Sequence, residues 1–372
     1  MRAVVLLLVA PVLGLCACSG DASPGEASGI WAFAAGGTHD VSLCELKRTD
    51  PATLRCDAPN TGARVGFATC GDLIADNTLT VERREAPISV AAGGAILTSS
   101  PVHVAGSMIA FGRIDGTNTQ DVDGDLQAGT GWTTSAPVSV GGDAFVGIGF
   151  DAKNSASIAG TLHVPEGSDV NRVSAGSIVF GAVNVALPID CASMPIVASI
   201  AASATTTRDP AAARAIPPLA LSPVKAPTDV TMGCGTYVLS SIDVQNTLAI
   251  HIVGRTVLVV QGDVHVSAPM TIDLADGASL DLVIVGKLEV DNTLRIGNAS
   301  APNATWMGVG SSIRVASPME LSGTLFAPQA AAAFDNTFDV DGAVVVASAR
   351  IAAPLVVHDG PALGHDGCVA AK

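Results

Sequence analysis

Six segments of the C-terminal half overlay without a gap: 242–250 (IDVQNTLAI), 264–272 (VHVSAPMTI), 288–296 (LEVDNTLRI), 313–321 (IRVASPMEL), 332–340 (AAFDNTFDV) and 349–357 (ARIAAPLVV). In each, an alternating apolar strand enters a small or polar corner, Asn-Thr or Ala/Ser-Pro, and a second alternating strand leaves it. The corners centre on Thr247, Pro269, Thr293, Pro318, Thr337 and Pro354, spaced 22, 24, 25, 19 and 17 residues. A loose repeat near twenty residues is the mark of stacked coils. Period-2 alternation on both sides of every corner makes those coils β rather than α.

The N-terminal half carries a shorter form of the same signal. Segments 97–106, 114–122, 133–142 and 152–160 place corners at Pro101, Thr119, Pro137 and Ala156, and Asp76-Asn77-Thr78-Leu79 is an earlier copy of the sequence at 291–294. The expected fold is therefore all-β, a right-handed parallel β-helix in two arrays, 73–190 and 230–372. An interruption at 191–229 separates them. It holds one short helix near Pro195–Ala204, lying along the rod or capping one array, and then a Pro-rich return.

Composition agrees with that architecture. The chain has 39 Gly and 21 Pro, residues suited to sharp corners, and aromatics are only 3%. A narrow interior filled by stacked aliphatic side chains leaves little room for rings. Eleven or twelve rungs spaced roughly 4.8 Å apart would make a rod about 55 Å long.

Residues 1–18 read as an export signal: Arg2, an apolar stretch from Ala3 to Leu15, then Leu15-Cys16-Ala17-Cys18. That tetrapeptide resembles a bacterial lipobox, with Cys18 as the lipidated residue. Several acyl chains on one Cys hold a membrane far more firmly than a single chain. Ser19 after the lipidated Cys favours the outer membrane, and 19–29 is a flexible tether. Residues 30–72 carry three cysteines with Pro51, Pro59 and Gly62, and read as a small disulfide-stapled N-terminal cap.

Six cysteines remain in the mature body: Cys44, Cys56, Cys70, Cys191, Cys234 and Cys368. An even number in an exported chain reads as up to three disulfides, with fifteen connectivities open. Cys191 and Cys234 bracket the interruption and are the favoured pair. No Cys-x-x-Cys supports a zinc site.

Candidate chemistry is sparse. Asp263, Asp273, Asp281 and Asp291 fall in different coils and read as solvated, outward carboxylates. Asp121, Asp123 and Asp125 offer dense oxygen ligands but lack the closing bidentate Glu of a calcium loop. His358-Asp359 recurs as His365-Asp366, a weak metal candidate that a polar closing turn explains better. His103, His163, His251 and His265 sit singly at alternating strand positions and read as surface or lumen-edge residues. No nucleophile elbow, phosphate loop or dinucleotide fingerprint is present, so neither a catalytic residue nor a cofactor is expected.

Several longer stretches are more specific: Cys234-Gly235-x-Tyr237, Val253-Gly254-Arg255, Gly262-Asp263, Leu280-Asp281-Leu282 and Leu325-Phe326-Ala327-Pro328, with Gly160-Thr161-Leu162-His163-Val164-Pro165 in the first half. They resemble a family of β-solenoid domains in exported bacterial proteins that is known only as a domain of unknown function, similar in style to choice-of-anchor A and ice-binding-like adhesion domains. The resemblance implies a solenoid fold and export, and it carries no catalytic residues.

A formal net charge of −15 argues against nucleic acid and anionic lipid headgroups as partners. The sequence thus reads as a non-enzymatic, lipid-anchored β-solenoid at the outer membrane or cell surface. Its role is structural or adhesive, and its partner an envelope polymer, a polysaccharide or another surface protein. The alternative is a β-helix that binds or cleaves extracellular polysaccharide. A third reading, ice or surface binding through spaced Thr, is weakened by the Pro at alternate corners.

Overall fold

The computed structural model describes residues 30–32, 64–83, 87–185, 191–206 and 221–359. Nearly all of them are short strands joined in parallel register into a β-solenoid of about 13 turns. With rungs about 4.8 Å apart, twelve steps give a rod of roughly 58 Å. Most coils have three strands, one on each face, while Met319–Phe334 and Phe338–Ile351 each run unbroken across all three. In one three-stranded coil the strands are Ile242–Val244, Leu248–Ile252 and Arg255–Val260. The strand before the corner lies on what we term the third face, the strand after it on the first face, and the remaining strand on the second face.

The corners obey a single hydrogen-bonding rule. At each one the carbonyl of the central residue accepts the N–H that opens the first-face strand of the neighbouring coil, as in Leu248 N to Pro269 O, Met270 N to Thr293 O and Leu294 N to Pro318 O. The N–H of the central residue itself has no such ladder acceptor. Two chemistries solve this. Proline has no N–H to satisfy. In the Asn-Thr form the Asn side-chain oxygen accepts it, at 2.7–2.8 Å for Thr78, Thr119, Ser155, Thr247, Thr293 and Thr337. The Asn amide then donates across to a carbonyl of the adjacent coil at 3.2–3.5 Å. Because Val138 pairs with Ala156, the fourth N-terminal corner is centred on Ser155, one residue before the position read from sequence, and the 18-residue period holds through it.

Immediately after each corner the chain points inward, so the corner register also builds the core. Leu248, Met270, Leu294, Met319, Phe338, Leu355, Leu79 and Val102 stack in one buried column. At about 1.5–3 kcal/mol for each fully buried aliphatic side chain, such columns dominate the stability of the rod. Gln120 continues the column as a buried polar residue, its amide donating to Thr98 Oγ1 at 3.0 Å.

The two arrays form one rod in which chain order and spatial order differ. Arg64–Thr69, Leu73–Ala75 and Leu79–Glu82 begin in the middle, and coils run outward from them to Val173–Phe180. The chain then crosses to the opposite end and winds back from Thr228–Met232. It finishes with Phe338–Ile351 and Leu355–Asp359, which pair directly with the first coil. Arg350 Nε meets Asp76 at 2.9 Å across this seam, and Asn77 donates to the Ala352 carbonyl, 275 residues away. The alternation of Pro and Asn-Thr corners passes through without a break, from Pro318, Thr337 and Pro354 to Thr78, Pro101 and Thr119. Of the segment read as an N-terminal cap, 64–69 therefore belongs to the solenoid, while Ile30–Ala32 pairs in parallel with Thr228–Met232 at the far end.

The connector explains why the second face is apolar outside as well as in. Its helix spans Val197–Thr206, starting two residues after Pro195. It lies over the strands Gly235–Leu239, Arg255–Val260 and Ser279–Ile284. Val197, Ile200, Ala201 and Ala204 form an i, i+3, i+4, i+7 stripe packed with Val259, Val283, Trp306, Phe326 and Val345 in a second buried cluster. A disulfide from Cys70 to Cys191 pins the connector to the first coil. This replaces the expected Cys191–Cys234 pair. The connector passes the middle of the rod at Cys191, beside Cys70, before reaching the end where Cys234 lies, and Cys234 is itself disulfide-bonded.

Candidate functional site

The carboxylates singled out in the second array do not converge on one another. Asp263 accepts the backbone N–H of Lys287 at 2.8 Å and so braces a corner. Asp273 stands 3.9 Å from His251, and Asp291 lies 3.1 Å from His265 and 3.0 Å from Arg314. Asp281 corrects the reading of a solvated carboxylate: it is 8% exposed and bonded to Arg255 at 3.0 Å. The pair comes from Val253-Gly254-Arg255 and Leu280-Asp281-Leu282, so these motifs serve a mostly buried ion pair on the second face, the face the helix packs on.

The histidines are grouped rather than single. Successive coils place a carboxylate on either side of the ring in three cases. His251 has Asp229 at Nε2 (3.2 Å) and Asp273 at Nδ1. His265 has Asp243 at Nδ1 (3.5 Å) and Asp291 at Nε2. His358 has Glu82 at Nδ1 and Asp339 at Nε2, both at 3.2 Å, and so ties the two arrays across the seam. The neighbours of the His358 ring are thus Glu82 and Asp339, while the backbone of Asp359 pairs in register with Gly342. His163 instead stacks on Phe145, with ring centroids 4.6 Å apart. His365 and Asp366 lie outside the described residues.

His103 is arranged differently. It stands one coil below Asp121, with Nδ1 3.3 Å from Asp121 Oδ2, and Asp123 turns toward the same point. Ligand atoms of His103, Asp121 and Asp123 all lie within 4.8 Å of one another. Asp125 does not join them. It belongs to a corner ladder in which Ser89, Ser107, Asp125 and Asp143 each accept the backbone N–H of the residue 18 positions later. The Asp121, Asp123, Asp125 grouping thus becomes His103, Asp121, Asp123. The signal was the spacing of one coil between His103 and Asp121.

On the third face of the first array an open trough of about 630 Å³ runs past Asp115, Thr133 and Asp151, with Arg113, Lys153 and Phe150 on its walls. Its charges are already partly matched, Arg113 to Asp115 at 2.8 Å and Lys153 to Asp151 at 4.0 Å. Cys18, Cys44, Cys56 and Cys368 lie outside the described residues. Among the described residues no helix is long and apolar enough to cross a membrane.

Residues 192–365 match a domain of unknown function (DUF7305). The first array lies outside the match. No curated protein matches the sequence. Among solved structures, an ice binding protein from an Antarctic bacterium of the Flavobacteriaceae is similar, at 12% identity over 82% of this chain and 84% of that one, with a TM-score of 0.23.

Proposed function

We propose that this protein is a non-enzymatic surface module, held at the outer membrane or cell surface by lipid on Cys18, whose rod serves as a stiff structural or adhesive element. The observation that supports this is how the polar side chains are used. Along the first and third faces, most of the carboxylates described above pair with a cation beside them or in an adjacent coil, or brace a corner N–H, so much of the outer surface is a set of local interlocks. Acid–base chemistry instead needs groups converging on one substrate within hydrogen-bond reach. A rod of about 13 turns also offers long, regular faces to an extended partner.

Two measurements test the reading. Palmitate should label the wild-type chain in cells, and Cys18→Ala should abolish the label and free the protein from the membrane fraction; equal labelling of the variant refutes the anchor. The purified body should bind whole cells or envelope polymers reversibly and leave them uncut. Depolymerisation of a polysaccharide that an Asp→Asn change abolishes would establish an enzyme instead. The trough beside Asp115, Thr133 and Asp151 favours a second reading, a carbohydrate-binding solenoid, because its hydroxyls and charges are groups that hold sugars.

A further inference from the structure

The four histidine–carboxylate groups of the first and third faces divide by geometry. At His251, His265 and His358 the two carboxylates approach opposite nitrogens of the ring, so they lie on opposite edges and cannot share an ion with it. At His103 both carboxylates lie on one side. Among the described residues this is the one group in which an imidazole nitrogen and two carboxylate oxygens converge. From this convergence we infer that His103, Asp121 and Asp123 form a binding site for a divalent transition-metal ion, of which zinc is the natural case.

The spacing supports it. Donors about 2.0–2.2 Å from a common zinc in tetrahedral array stand about 3.3–3.6 Å apart. His103 Nδ1 and Asp121 Oδ2 are already 3.3 Å apart. The remaining separations are all within 4.8 Å, and Asp123, the exposed member of the three, is the side chain free to close them. The parallel register fixes the other two ligands, since His103 and Asp121 are direct partners in the ladder, with Val104 and Val122 buried beside them. No Lys or Arg among the described residues pairs with Asp121 or Asp123, so two negative charges face one imidazole. The donor set also selects the metal: one nitrogen and two oxygens suit zinc, cobalt or nickel, whereas calcium requires six to eight oxygens. At least one coordination position is left to water or to an outside ligand.

The test uses the full chain in detergent, stripped with a chelator and titrated with Zn²⁺ by calorimetry, with Co²⁺ absorbance as a second reading. The wild type should bind one more equivalent of Zn²⁺ than His103→Gln or Asp121→Asn, or bind it at least about 10-fold more tightly. His251→Gln should match the wild type, and the β-type circular dichroism of all variants should be unchanged because these side chains are exposed. Equal Zn²⁺ stoichiometry and affinity in the wild type and both site variants would overturn the assignment. So would Ca²⁺ binding as tightly as Zn²⁺ at this position.

Discussion

If the two corner chemistries are alternative answers to one unpaired N–H, they should be interchangeable as units and costly when mixed. Asn292-Thr293 tests this. Asn292→Ala removes the acceptor 2.8 Å from the Thr293 N–H and the 3.4 Å bond from the Asn292 amide to the Ser267 carbonyl. Each net hydrogen bond contributes about 0.5–1.5 kcal/mol, and both lie at an open corner, so a loss of about 1–2 kcal/mol is expected. Adding Thr293→Pro removes the stranded donor. Pro269 and Pro318 occupy the same register in the coils on either side, so the backbone already suits proline there. Proline also restricts the unfolded chain, by about 0.4–1 kcal/mol where its geometry fits. The Ala-Pro double variant should therefore recover about 1 kcal/mol of what Asn292→Ala loses, a coupling visible in a four-protein urea-unfolding cycle followed by circular dichroism. Should Thr293→Pro destabilise the Asn292→Ala protein as much as it does the wild type, or more, the corner rule is wrong.

Three further outcomes follow from the packing. Replacing Cys70 and Cys191 with Ala opens a 121-residue loop and should lower stability by about 2–4 kcal/mol; an unchanged melting temperature would show that the connector is held without the clamp. Val290 is fully buried, so Val290→Asp should destabilise by at least about 3 kcal/mol and expose the coil to protease, whereas Glu289→Ala, on the outer side, should stay within about 0.5 kcal/mol. A Cβ at Gly147 would run into the carbonyl of Gly129 in the coil below, so Gly147→Ala should cost about 1–3 kcal/mol, against little effect at Gly149, whose Cβ direction is open.

The coils were legible because their cause is local. Alternation, corner residues and inward columns all repeat within about twenty positions, and the second-array spacings read from sequence are the ones the ladder keeps. What failed to show was whatever depends on which coil meets which. Nothing near Leu79 or Leu355 announces that they are partners, because any first-face strand could pair with any other. Cys191 looked tied to Cys234 since the two bracket the interruption, yet the connector passes Cys70 on its way. Asp281 looked solvated because alternation places it outside, and the helix that covers the second face is distant in sequence. Asp125 could have been placed correctly: Ser89, Ser107, Asp125 and Asp143 recur every 18 residues, which is a structural period rather than a ligand set.

The seam also imposes an order in time. A chain made N-terminus first produces Leu79–Glu82 about 275 residues before the strand Leu355–Asp359 that covers its open edge. At about 5–20 residues per second, that edge waits about 14–55 s with its backbone groups unpaired. Coils can grow outward from it during this interval, but the rod cannot close. The molecule therefore does not zip from one end to the other. Leu355–Asp359 is a keystone, and any truncation that removes it leaves an uncovered, adhesive strand edge at the centre of the molecule rather than at its tip.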